Sequence, residues 1–133
     1  MALEALLDTN ICIYIARSRP TTVAERFAVA LPGSLGISVV TWGELCFGAS
    51  KSRDPSRARS ALERFAEAVP VQPLGVEVGR HYGEIRAFLE RAGTPIGNND
   101  LWIAAHARAL SAKLITNNAR EFASVPGLEV DNW

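Results

Sequence analysis

Residues 3–10 read Leu-Glu-Ala-Leu-Leu-Asp-Thr-Asn, and this stretch decides the fold. Leu3, Ala5, Leu6 and Leu7 form a short apolar run that stops at Asp8-Thr9-Asn10. A run without polar alternation suits a strand of a parallel sheet, covered on both faces. Thr9 and Asn10 are good helix N-cap types, and Ile11, Cys12, Tyr14 and Ile15 can line the helix that follows. The unit is a buried strand, a polar turn carrying an aspartate, then a helix.

The unit recurs outward along the chain. Gly36–Val40 (GISVV) reads as a second buried strand, leading through Thr41 into a helix with Glu44, Leu45 and Phe47 that Gly48 loosens. Leu114 and Ile115 read as a strand ending at Thr116-Asn117-Asn118, and Leu128–Val130 as a last short one. Between them, Thr22-Val-Ala-Glu25 spells a capping box, and Asp54-Pro55 an N-cap with proline at the first helical position. Ala58, Ala61, Leu62, Phe65 and Val69 then recur at amphipathic-helix spacing. Val69–Leu74, interrupted by two prolines, reads as an edge strand or a loop. Val78, Tyr82, Ile85, Phe88 and Leu89 give another helix, stopped by Gly93 and Pro95. The turn Gly97-Asn98-Asn99 precedes Asp100 and an alanine-rich helix. Strands separated by helices mean a parallel α/β sheet with right-handed crossovers.

The 133 residues carry no repeat and no linker, so residues 1–133 are expected to form one domain. At 48% hydrophobic the chain has the material for a core, and its 21% charged fraction is not that of a disordered segment. Fourteen basic residues balance fourteen acidic ones, which removes any argument from global attraction to a polyanion. Cys12 and Cys46 make no disulfide framework and have no partner at metal-ligand spacing. The N-terminus lacks the features of a signal peptide, and no apolar stretch is long enough for a membrane helix. A soluble, cytoplasmic protein is expected.

Only four aspartates occur: Asp8, Asp54, Asp100 and Asp131. Asp8 is the first residue beyond a strand, and Asp100 opens a helix after a glycine turn. Glu44 lies a few residues past the second strand, and Asn118 just past the run Leu114-Ile115. Ligands of open parallel sheets bind outside the carboxyl ends of the strands, so three carboxylates and an amide are expected to converge on one edge. Hard oxygen donors without His or Cys select Mg²⁺, with Mn²⁺ as a substitute. Such ions bridge phosphate oxygens and activate water in metal-dependent nucleases. The competing reading makes each residue a helix cap: Asp8 before the first helix, Glu44 in Thr41-Trp-Gly-Glu44, Asp100 at a helix N-terminus, Asn118 in Asn118-Ala-Arg-Glu121. Asn10, Asn98 and Asn99 are available as caps in place of the first and third.

His81 and His106 read as ordinary surface or core histidines, and there is neither a nucleophile elbow nor a Gly-rich phosphate loop. Arginine outnumbers lysine twelve to two, which suits bidentate phosphate contacts. Arg17, Arg19, Arg53, Arg57 and Arg59 are the candidate phosphate contacts, with a solvated helix face as the competing reading. The alternatives are a phosphoryl-transfer α/β protein and a non-catalytic binding module. A haloacid-dehalogenase-like phosphatase needs a second aspartate where Asn10 stands, and a receiver domain needs an aspartate that GISVVTW does not offer.

Four blocks together resemble one family: LLDTNICIYIARSRP, SVVTWGELCFGASKS, PIGNNDLWIAAHARA and LITNNAREFASVPGLEVDNW. They are similar, in order and spacing, to the PIN-domain ribonuclease toxins, the VapC proteins of type II toxin–antitoxin pairs. DTNxCIY, ELxxGAxKS and TNNxREF look most like the VapC subgroup that cleaves initiator tRNA. The resemblance implies a three-layer α/β/α fold with a short central parallel sheet. It also implies a Mg²⁺-dependent endoribonuclease, a homodimer, and a VapB antitoxin that blocks the site. The family's acidic quartet carries over onto Asp8, Glu44 and Asp100. Its fourth position falls on Asn118, an amide where many relatives have aspartate, and Glu121 is the alternative. The implied substrate is initiator tRNA, cut in the anticodon region.

Overall fold

The computed structural model describes residues 3–133. Its elements are β1 (Ala5–Leu7), α1 (Thr9–Arg17), α2 (Thr21–Val29), β2 (Leu35–Ser38), α3 (Val39–Ser50), α4 (Pro55–Ala68), β3 (Val71–Gln72), α5 (Val76–Ala92), α6 (Asn98–Ala109), β4 (Lys113–Thr116), α7 (Ala119–Phe122) and β5 (Val130–Asn132). The five strands pair in parallel in the order β3-β2-β1-β4-β5. The expected parallel α/β sheet is present, and β3 lies at an edge, where its flanking prolines cost no ladder bond.

Alternation along the strands divides the core in two. Leu6 and Leu114 point to one face, packing with Val78, Ile85, Leu89, Ile103 and Phe122 from α5, α6 and α7. Ala5, Leu7, Ile37 and Ile115 point to the other, against Ile11, Cys12 and Val23 of α1 and α2 and Val69 after α4. Burial on both faces is why β1 and β4 read as apolar runs and not as alternating ones. The three-layer α/β/α arrangement follows.

The sequence misplaces several local features. The turn after β2 comes two residues early: β2 stops at Ser38, whose side chain caps α3, so Val39 and Val40 are helical despite their β-branching. Glu44 therefore lies inside α3 and not at a capping-box position. Gly48 does not end that helix, which runs on to Ser50. The Thr22–Glu25 box is not formed either, because Pro20 takes the N-cap position of α2 without a side-chain bond. The last strand begins at Val130, two residues later than expected from the apolar pattern. By contrast, Asp54 caps α4 as its sequence says, and Gly93 ends α5 in the left-handed conformation at φ 74° that glycine adopts without strain.

Position in the sheet matters most for β1. From β1 the chain proceeds one way to β2 and β3, then returns to add β4 and β5 on the other side. The strand order reverses at β1/β4. A crevice opens at such a switch point outside the carboxyl ends of the strands.

Candidate active site

Asp8 is the first residue past β1, directly at the reversal. Its backbone N–H donates to the Ile115 carbonyl at 2.9 Å, which extends the β1–β4 ladder and places Asp8 beside Thr116. The cap of α1 is Asp8 itself and not Asn10: Oδ1 accepts from the Ile11 N–H at 2.9 Å. Oδ2 accepts a short hydrogen bond from the Thr116 hydroxyl. Asp8 is only 6% exposed. Burial raises its carboxyl above the usual range, the Thr116 and Ile11 bonds draw it back, and the Glu44 charge pushes it up again. The capping reading of Asp8 is thus true of one oxygen and does not account for the other.

Glu44 is half-buried and accepts from the Thr9 hydroxyl at 2.6 Å, while the same hydroxyl lies 3.5 Å from that of the buried Thr41. Thr9 is the residue after Asp8, so α1 and α3 are tied together between two acids. Asp100 stands in the first turn of α6, where the helix dipole favours an anion. The cap of α6 is Gly97 through its backbone, and neither Asn98 nor Asn99 supplies a side-chain cap; the Asn98 carbonyl oxygen accepts from the Tyr82 hydroxyl at 2.5 Å. Burial pushes the Asp100 carboxyl up to about 6, helped by the charge of Glu121, a hydrogen bond with Glu121, and the charges of Glu44 and Asp8.

The charges of Glu121, Glu44 and Asp8 thus all bear on Asp100, and that of Glu44 bears on Asp8 as well. Asn118 stands beside them at the start of α7, its backbone N–H on Thr116 Oγ1 at 2.9 Å and its amide nitrogen donating to Glu121. Asn118 and Glu121 are thus joined by a hydrogen bond, and the carboxylate of that pair bears on Asp100. Reading Asn118 as a helix start is correct for the backbone alone, since its side chain makes no cap bond. Thr9 and Thr116 escaped the sequence reading, and only the β1–β4 register could have revealed Thr116.

None of the four carboxylates forms an ion pair with Lys, Arg or His among the described residues, where the salt bridges all lie elsewhere. Four acids facing one crevice without a cation repel one another, and a bound divalent ion relieves exactly that kind of repulsion. The donor set consists of hard oxygens, the type that suits Mg²⁺ or Mn²⁺. Among the described residues no three of them close into a ready-made ligand cluster; Asp8, Glu44 and Glu121 each spend an oxygen on Thr9, Thr116, Ile11 or Asn118, and Asp100 bonds to Glu121. The residues fit a divalent ion by charge and donor type.

Arg17, Arg19, Arg53, Arg57 and Arg59 are all exposed: the first two at and just beyond the end of α1, Arg53 between α3 and α4, the others on α4. Arg17 lines an apolar groove of about 730 Å³ between α1, α3 and α4, whose walls include Ile13, Leu45, Leu62 and Phe65 and also Thr9 and Glu44. The groove and the acidic crevice thus share two residues. No helix among the described residues is long and apolar enough to cross a membrane.

The PIN domain family model matches residues 5–128, from β1 to the approach of β5. The chain belongs to the PIN-domain family. It is 42% identical over 131 residues to the tRNA(fMet)-specific endonuclease VapC of Shigella flexneri, covering 98% of either chain. It is also 42% identical over 129 residues to ribonuclease VapC1 of Haemophilus influenzae strain R2866, covering 96% of each. Among solved structures, the DNA-bound VapBC of Salmonella typhimurium superposes with a TM-score of 0.91 at 38% identity, covering 98% of both chains. VapBC2 of Rickettsia felis, bound to a promoter DNA fragment, gives 0.89 at 35%, covering 98% of this chain and 99% of that one. PIN-domain ribonucleases generally depend on a divalent metal. The family match over residues 5–128 replaces the phosphatase and receiver readings.

Proposed function

We propose that this PIN domain is a Mg²⁺-dependent endoribonuclease and the toxin of a toxin–antitoxin pair. The observation that carries the reading is that Asp8, Glu44 and Glu121 all bear on Asp100 beyond the strand ends, with no basic partner in an ion pair among the described residues. Asp8, Glu44 and Asp100 would hold the ion, with Glu121 as the fourth oxygen donor. When bound, the ion supplies charge for the scissile phosphate and lowers the pKa of a water. The protein's own share is orientation. Thr116 and the Ile11 N–H fix both Asp8 oxygens, Thr9 fixes Glu44, and Asn118 fixes Glu121.

The proposed substrate is a structured tRNA, with initiator tRNA first. The Shigella and Salmonella relatives are named for that tRNA. A net charge of zero leaves RNA contacts to local cations. Arg17, Arg19, Arg53, Arg57 and Arg59 are exposed, and none is in an ion pair among the described residues. A rim of that kind recognises folded shape and loop nucleotides better than an extended generic strand. A homodimer would double the rim across one RNA.

In this reading a VapB-type antitoxin lays an apolar segment in the groove between α1, α3 and α4, where it would reach Thr9 and Glu44 and so cover the site. The Salmonella and Rickettsia relatives were solved as VapBC complexes. The test is to incubate the purified protein with total cellular RNA and Mg²⁺ or a chelator, then map the 5′ ends. One dominant cut in the anticodon region of initiator tRNA, absent with chelator, is expected. Scattered cleavage of mRNA and rRNA with that tRNA intact overturns the substrate, and cleavage in chelator overturns the metal dependence.

A further inference from the structure

Ser38 and His106 are both fully buried, and His106 Nδ1 lies 2.8 Å from Ser38 Oγ across 68 residues of chain. Neither is one of the four acids, yet each shares an element with one. Ser38 is the N-cap of α3, the helix that carries Glu44, and His106 sits on α6, the helix that Asp100 opens. Ser38 Oγ also accepts from the Val40 N–H at 3.1 Å. The link therefore runs from α6, through one imidazole and one hydroxyl, into the first turn of α3.

The direction of the bond follows from the surroundings. His106 Nε2 has no hydrogen-bond partner among the described residues, and the Pro73 carbonyl, which can only accept, bears on the ring. The proton therefore belongs on Nε2, and Nδ1 accepts from the Ser38 hydroxyl. Burial lowers the pKa of His106, which keeps the ring neutral and Nδ1 available as an acceptor. An apolar residue would fill the same volume without burying two polar groups. A satisfied buried polar pair fixes one geometry where apolar packing tolerates several.

We propose that His106, acting through Ser38, is a positioning residue for Glu44: it sets the first turn of α3 against α6 so that Glu44 and Asp100 face the same ion. This rests on the metal-dependent reading above. Residues that orient ligands in this way typically change metal affinity or activity by about 10–100-fold when removed.

The test uses His106→Leu, His106→Asn and Ser38→Ala in the full chain, with three readouts: hydrogen exchange of the peptide spanning residues 39–45, the Mn²⁺ midpoint of RNA cleavage, and RNA affinity without metal. His106→Leu and Ser38→Ala are expected to speed exchange at the start of α3 and to raise the Mn²⁺ midpoint about tenfold, leaving metal-free RNA affinity unchanged. His106→Asn, whose amide can reach Ser38 from the Nδ1 side, is expected to recover most of the wild-type midpoint. The double variant His106→Leu with Ser38→Ala is expected to be no worse than Ser38→Ala alone, because that substitution already removes the link together with the Val40 cap bond. Should His106→Leu fail to fold, Ser38→Ala decides, since it leaves the imidazole in place. Unchanged exchange overturns the proposal, as does faster exchange with an unshifted midpoint or an Asn variant as impaired as Leu. If the wild-type protein shows no metal-dependent cleavage, the metal reading itself has failed and the proposal falls with it; that result is separate because it appears before any substitution.

Discussion

Asp8 and Asp54 perform the same local task. Each precedes a helix and accepts a backbone N–H of the first turn, Ile11 at 2.9 Å for Asp8 and Arg57 at 3.2 Å for Asp54. Beyond the cap they differ in every respect. Asp54 is exposed on the loop before α4, and its second oxygen has no hydrogen bond among the described residues. Asp8 is buried at the strand reversal, its second oxygen held by Thr116 and its carboxyl pushed up by the charge of Glu44. Capping is a property of a few neighbouring residues, whereas membership of an acid cluster is a property of strand order.

Substitutions can break that contrast, and the largest effect is expected at Asp8. Asn caps a helix about as well as Asp, so Asp8→Asn should leave the circular dichroism spectrum intact. Removing one charged donor should still reduce tRNA cleavage about a hundred- to a thousandfold, as expected where several kcal/mol of charge stabilisation is lost. Growth arrest on induction should disappear with it; continued toxicity would favour the non-catalytic reading. Next comes the pair at α7. Glu121→Gln should slow cleavage about tenfold and Asn118→Ala about threefold, because Asn118 acts only by holding Glu121. The opposite order, in single-turnover rates, would make the amide the functional group.

Asp100 offers a sharper form of the same contrast, in stability. Its folded pKa of about 6 exceeds the ordinary 3.8, so between those values the folded protein binds more protons than the unfolded chain. Stability of the metal-free protein should therefore fall as pH rises from about 4 through 6, the reverse of a salt-bridged aspartate. Asp100→Asn should raise the metal-free Tm at pH 7.5 by about 3 °C, roughly 1 kcal/mol after allowing for solvent screening, while abolishing cleavage. A lowered Tm would mean that the acids do not repel. The smallest effect belongs to Asp54. Asp54→Ala should cost about 1 kcal/mol, seen as a Tm about 3 °C lower, with cleavage unchanged.

The contrast also explains what the sequence could tell. Apolar runs such as Ala5-Leu6-Leu7 and Leu114-Ile115 gave away the doubly covered parallel sheet, because burial on both faces leaves no polar alternation. Asp8, Glu44 and Asp100 were legible as residues just past strands or at a helix opening. The partners that hold them were not. Thr116 meets Asp8 only through the β1–β4 register, and Ser38 meets His106 across 68 residues. Local cap spellings misled wherever tertiary packing chose another start, as at Pro20 for α2, Ser38 for α3 and Gly97 for α6. Asn118 and Glu121 were both legible as candidates for the fourth position, but the hydrogen bond that joins them was not.

The central claim is that the acids at the strand reversal take a divalent ion and that Asp54, the cap of α4, does not. Thermal unfolding with and without Mn²⁺, for the wild type, Asp8→Asn and Asp54→Ala, tests it without RNA or turnover. An ion bound only by the folded protein, at about a hundredfold excess over its Kd, adds about 2.7 kcal/mol. The wild type and Asp54→Ala should therefore gain several degrees in Tm on addition of Mn²⁺, reversed by chelator, and Asp8→Asn should gain little or nothing. An equal Mn²⁺-induced rise in Asp8→Asn, or no rise in the wild type, would contradict the account.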